Sequence, residues 1–95
     1  MRGRKREVDT LGPVLDEAVT AGVRALRPGA TACPGVLGEA VLRAHGFEVD
    51  ARDALLLLRG RLLALRDDGR LRFFQKGVVV PLGRTTPRGP FRLGR

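Results

Sequence analysis

Cys33 is the chain's single cysteine and His45 its single histidine. Cys33 precedes Pro34 at the start of an expected helix, where the helix dipole favours thiolate. A nucleophilic thiolate would also need a neighbouring base. His45 lies twelve residues on, near the far end of the same helix. About 17 Å of helical rise separates the two, so they form no pair while that helix is intact. Cys33 is therefore read as a small structural residue. Serine is absent, which removes serine nucleophiles. Asp67 and Asp68 read as solvated acids at a helix end, and one thiol with one imidazole makes no metal-ligand set. No glycine-rich turn leads into a helix as a phosphate-binding loop would. The expectation is a protein without catalytic residues, metal or cofactor, and hence not an enzyme.

Cations are what the sequence does supply. Lysine plus arginine number 18 against 10 acids, for a net charge of +8, and only Lys5 and Lys76 are lysines. Residues with GC-rich codons dominate, which accounts for arginine over lysine but not for the excess of base over acid. The charge is uneven. Residues 1–8 carry four basic groups and one acid, residues 9–50 three against six, and residues 51–95 eleven against three. This asymmetry points to a polyanionic partner on the C-terminal half. Three arginines, Arg52, Arg59 and Arg66, recur at seven-residue spacing on one flank of an expected helix. Arg70, Arg72 and Lys76 sit on an expected hairpin, with Arg84 and Arg88 beyond it. Arginine suits phosphate because its planar fork donates two hydrogen bonds at once.

The elements that must hold these cations follow from periodicity. "MRGRKRE" has almost no apolar content, so residues 1–9 are expected to be a flexible basic arm. Residues 10–95 form one domain. A first helix covers Leu11 to Leu26, started by Thr10 or Gly12 with Pro13 in its first turn, and burying Leu15, Val19, Gly22 and Leu26. A second opens at Pro34, carries the stripe Val36, Leu37, Ala40, Val41 and Ala44, and closes at Gly46. Gly35 and Gly38 each weaken it by roughly 0.5–1 kcal/mol relative to Ala. The third, "DARDALLLLRGRLLALRDDG", starts with Asp50 and Asp53 as a capping box and ends at Gly69. Its core stripe is Leu55, Leu58, Leu62 and Leu65, leaving Asp53, Leu57, Gly60 and Ala64 outward.

"LRFFQKGVVVPL" then reads as a hairpin. Leu71, Phe73 and Gln75 point to one side, and Arg70, Arg72, Phe74 and Lys76 to the other. Lys76-Gly77 is a two-residue turn, and Phe73 with the valine run is expected to close the core. "GRTTPRG" is loop, and "PFRLG" places Phe91 inward and Arg92 outward. The fold class is α+β: a small winged helix-turn-helix domain, three helices followed by a β-hairpin wing.

"TACPG", "LRFFQKG" and "RGPFRLGR" resemble a bacterial family called domain of unknown function 3253. The matching positions are Thr31, Cys33, Pro34, Arg52, Arg59, Gly69, Gln75, Lys76, Gly77, Gly89, Pro90, Arg92 and Leu93. The resemblance spans about residues 14–95 and implies a winged-helix-like fold, with no activity to transfer. Gly35 and Val36 stand where the family pattern has Ser-Glu, Ala51 where it has Trp, and Leu55-Leu56 where it has Met-Pro.

The functional expectation is a nucleic-acid-binding protein. Arg52, Arg59, Arg66, Arg70, Arg72, Lys76, Arg84 and Arg88 would meet the phosphates of double-stranded DNA, the third helix would be the insertion element, and "RGRKR" would support it from the arm. The outward face of that helix lacks Asn, Gln and Arg for reading bases, so binding is backbone-dominated and weakly sequence-specific. The alternative is a protein-interaction or dimerisation module using Leu57, Gly60 and Ala64, with Leu56 and Leu63 beside them. One cysteine precludes an internal disulfide. "ALLLLRGRLLAL" is cut by Arg59 and Arg61, so no membrane span is expected, and the N-terminus has no signal-peptide core. The protein is read as soluble and cytoplasmic.

Overall fold

A computed structural model describes the backbone of residues 2–95 and the side chains from Arg4 onward. Met1, and the Arg2 side chain of the expected arm, lie outside the described residues. The chain is α+β. Four helices, α1 (Arg2–Thr10), α2 (Gly12–Arg24), α3 (Pro34–Ala44) and α4 (Ala51–Asp67), precede three short strands, β1 (Arg72–Gln75), β2 (Val78–Val79) and β3 (Arg92–Gly94).

The segment expected to be a flexible arm is helix α1, followed almost without interruption by α2. Leu11 N–H still donates to Glu7 and Leu15 N–H to Leu11, but Pro13 has no N–H to offer, so the helix breaks there. Val8, at 0% exposure, anchors α1 in the core. Ion pairs hold its polar side: Lys5 to Asp9 one turn on, Arg4 to Asp53 of α4, and Asp9 to Arg61 of α4. Composition favoured an arm because one valine is a weak apolar signal, yet Val8 is fully buried and ion pairs to α4 flank it.

The helix starts and stops follow local chemistry. Asp50 accepts the Asp53 N–H at 2.8 Å, forming half of the expected capping box. Gly46 and Gly69 take positive φ after α3 and α4. In each case the next N–H reaches back to the helix, Phe47 to Leu42 and Arg70 to Leu65, closing a Schellman motif.

The packing differs from the expected stripes where glycine matters. On α3 the buried residues are Pro34, Gly35, Gly38, Val41 and Leu42, while Val36 is exposed. A Cβ on Gly35 would stand 2.8 Å from the Ala51 carbonyl oxygen, and one on Gly38 would stand 3.0 Å from Leu58. These glycines therefore let α3 lie directly on α4, and their propensity cost is offset by close packing. On α4 the core residues are Ala54, Leu57, Leu58, Leu62 and Leu65. Leu57, assigned outward from the sequence, is only 1% exposed, because α1 packs on that side of α4.

The sheet is antiparallel in the order β2-β1-β3. Gln75 pairs with Val78, so Lys76-Gly77 is the two-residue turn expected, with both residues at positive φ. Leu71 and Phe73 are buried and Phe91 stacks obliquely on Phe73, centroids 5.0 Å apart. The valine run does not close the core: Val78 is 67% exposed, Val79 is exposed, and Val80 alone packs on the interior. β3 lies on the other side of β1 and bridges to Ala32, between α2 and α3. Among the described residues no helix is long and apolar enough to cross a membrane.

Candidate anion-binding cleft

The expected cations separate into two groups. Arg66 belongs to neither expected flank nor surface. Its residue exposure is 8%, its guanidinium lies 5.3 Å over the centre of the Phe73 ring, and it donates to Asp67 and to the Gly83 carbonyl. Arg66, read from sequence as part of a nucleic-acid surface, thus exposes far less of its guanidinium than Arg52 or Arg59. Helical spacing put it in line with Arg52 and Arg59, but the hairpin and the loop at Gly83 cover the last turn of α4. Arg70 pairs with Glu17 at 2.8 Å. Arg72 lies over Phe74 and donates to the Arg95 carbonyl at 2.6 Å.

Arg52, Arg59 and Arg88 are different. They line one cleft of about 820 Å³ between α3, α4 and the strap at residues 85–90. Arg52 and Arg59 are two turns apart on α4, about 10 Å of rise, and both are exposed. Among the described residues none of the three is held in an ion pair with a carboxylate, and no Asp or Glu lines the cleft. Its apolar surface comes from Pro34, Leu55, Leu63, Pro87, Pro90 and Phe91, and Cys33, Thr85 and Thr86 add polar groups. Leu55 is thus a half-buried cleft residue rather than part of the expected core stripe. Arg84 adjoins the strap, and Lys76 occupies the hairpin turn; both are exposed.

The strap is fixed by a side chain that sequence reasoning left without a role. Gln75 Nε2 donates to the Arg88 carbonyl at 2.7 Å and to the Pro90 carbonyl at 3.2 Å. A second clasp joins Arg92 to Thr31, through its hydroxyl at 2.7 Å and its carbonyl at 2.9 Å. Cys33 and His45 occupy opposite ends of α3, and His45 Nδ1 donates to the Val41 carbonyl. Among the described residues no three His, Cys, Asp or Glu side chains gather as a metal site.

On the side of α4 that faces α1 and α2, arginine is paired with acids. Arg61 makes a two-pronged hydrogen bond to Asp16, at 2.8 and 3.0 Å. That hydrogen bond holds its guanidinium above the ordinary arginine pKa, against partial desolvation. A Cβ at Gly12 would fall on the same guanidinium, so the glycine and the ion pair form one unit. The signal missed in sequence was this pairing of Arg61 with Asp16, 45 residues apart.

The residues carrying the resemblance come together around the cleft and its supports. Cys33, Pro34, Arg52, Arg59, Gly89 and Pro90 line it, while Gln75 and the Thr31–Arg92 pair fasten its frame. The profile of a family described as "Protein of unknown function (DUF3253)" matches residues 13–95. A search of curated proteins finds no match to the chain.

Proposed function

We propose that this chain, which belongs to the DUF3253 family, is a non-enzymatic nucleic-acid-binding protein that grips the phosphate backbone of duplex DNA with little sequence preference. The observation that carries the reading is the set of exposed cations that, among the described residues, have no carboxylate partner: Arg52, Arg59 and Arg88 in the cleft, Arg84 next in sequence to its strap, and Lys76 at the hairpin turn. Arg70 and Arg72 contribute less, since each already has a partner. The succession α3, α4, β1 and β2 supports a winged-helix arrangement in which α4 approaches the duplex and the hairpin flanks it. In that arrangement α4 presents Arg52, Leu56 and Arg59, a face suited to phosphates and poor in groups that read bases. A single free cysteine supports a reducing, cytoplasmic setting.

Titration of unrelated duplexes across a salt series tests this. Each phosphate neutralised contributes a slope of about −0.9 in log affinity against log salt, so five contacts give roughly −4 to −5. Lys76→Ala should make the slope shallower by about one, equally for every sequence. No duplex affinity at low salt removes the reading, and a strong preference for one sequence removes the backbone-dominated mechanism.

One observation favours a protein-interaction module instead. The β2 edge is unpaired on its outer side and carries Val78 and Val79, with Leu82 at 78% exposure close behind. An exposed apolar edge is a template for strand addition. Of the face read from sequence for this role, Leu57 is buried while Leu56, Gly60 and Ala64 are exposed, and the hairpin edge adds a larger apolar surface to it. A mass that rises with concentration, together with no duplex affinity, would select this reading.

A further inference from the structure

We infer that the cleft between α3, α4 and the strap is a binding site for a small amphiphilic organic anion, a phosphate ester or carboxylate with an apolar body. The inference rests on the same three arginines as the phosphate-backbone reading but does not require duplex binding.

The volume of about 820 Å³ falls among small-molecule sites, which span roughly 300–1,000 Å³. Its chemistry is two-sided. Three guanidiniums with no carboxylate among the lining residues leave a positive potential uncompensated, and concave walls of low dielectric focus it. The start of α3 adds to that potential. The first N–H groups of a helix have no acceptor within it, and here Cys33 makes no capping hydrogen bond and no acid occupies the first turn. The remaining walls, Pro34, Leu55, Leu63, Pro90 and Phe91, are apolar.

These two halves select the ligand. An inorganic anion would satisfy the arginines and leave the apolar walls against water. A neutral apolar compound would cover those walls while stripping water from the guanidiniums, which is costly without replacement hydrogen bonds. An anion with an apolar body does both jobs, its charged end between Arg52, Arg59 and Arg88 and its body against Leu55 and Leu63. The strap held by Gln75 keeps Arg88 on the far wall, so the site is framed before a ligand arrives.

Cys33 lines this cleft and is the chain's single thiol, which makes it a reporter for occupancy. The full-length chain is alkylated with iodoacetamide in the presence of phenyl phosphate, inorganic phosphate or benzyl alcohol, at matched ionic strength. Phenyl phosphate should slow alkylation saturably, by about tenfold at ten times its dissociation constant. Inorganic phosphate and benzyl alcohol should protect far less. Arg59→Ala, checked for folding by thermal melting, should raise the half-protecting concentration about tenfold or more, as expected for loss of a charge-assisted hydrogen bond. Backbone amide shifts at Leu55, Leu63 and Gly89 give the same answer should the thiol react too slowly to follow. Equal protection by inorganic and phenyl phosphate, or no shifts and no protection by either, overturns the proposal. Duplex binding without phenyl phosphate binding removes this inference alone. Phenyl phosphate binding without duplex affinity keeps it and removes the nucleic-acid reading.

Discussion

Two faces of α4 carry arginine and use it in opposite ways. Toward α1 and α2, Arg61 is locked to Asp16 and close to Asp9, and Arg4 reaches across to Asp53. Toward the strap, Arg52 and Arg59 stand beside Arg88 with no acid along the cleft. The same side chain is structural on one face and available on the other. The difference is made by Asp9 of α1 and Asp16 of α2, which these helices bring against one side of α4. Net charge counts all the cations alike, while the pairing pattern separates those tied to acids from those that line the cleft without them.

The comparison can be broken at several strengths. The largest change should come from Phe73→Ala, which removes the ring beneath Arg66 and against Phe91 and erases both faces together. Truncating a buried Phe costs roughly 3–5 kcal/mol, so urea denaturation should find this domain largely unfolded. Native stability would contradict the central place of Phe73. Next comes Gly35→Ala, whose methyl meets the Ala51 carbonyl oxygen. Overpacking of this kind costs about 1–3 kcal/mol, and the variant should lose stability and prise α3 from α4 at the cleft. Arg61→Ala should cost a similar or smaller amount, about 1–3 kcal/mol, because it strands half-buried Asp16. Its salt slope on duplex DNA should stay as in the unaltered protein. Arg59→Ala should do the reverse: melting temperature almost unchanged, and the slope shallower by about one. If Arg61→Ala and Arg59→Ala behave alike in both measurements, the two faces are not distinct. Smallest is Arg70→Ala, whose exposed pair with Glu17 is worth about 0–1 kcal/mol.

What could be read in the sequence was what is local. Asp50 before Asp53, Pro34 at a first turn, Gly69 after a leucine-rich run, and Lys76-Gly77 between two strands each state their role within a few residues. The α+β class and the Lys76-Gly77 hairpin turn followed from such signals. The rest depended on partners distant in sequence. Leu57 reads as outward on a lone α4 and is core only because α1 lies over it. Arg66 is in phase with Arg59 but is covered by residues near Gly83. The glycines of α3 look like weaknesses until α4 is placed against them. The cleft itself needed the strap at residues 85–90, and nothing in "RTTPRGP" announces which helix it will face.

The bridge between Ala32 and Leu93 has a kinetic consequence. The helices can dock through neighbours close in sequence, and the β1–β2 hairpin closes over two residues. β3 instead ties both units together, and its Arg92–Thr31 clasp closes a span of 61 residues. Loop-closure entropy grows by about 0.6 kcal/mol per doubling, so this single closure costs about 3 kcal/mol more than the hairpin does. The rate at which the chain reaches its native state is then set chiefly by how often its two ends of the sheet meet, and slowing at β3 would leave helices and hairpin formed but unjoined.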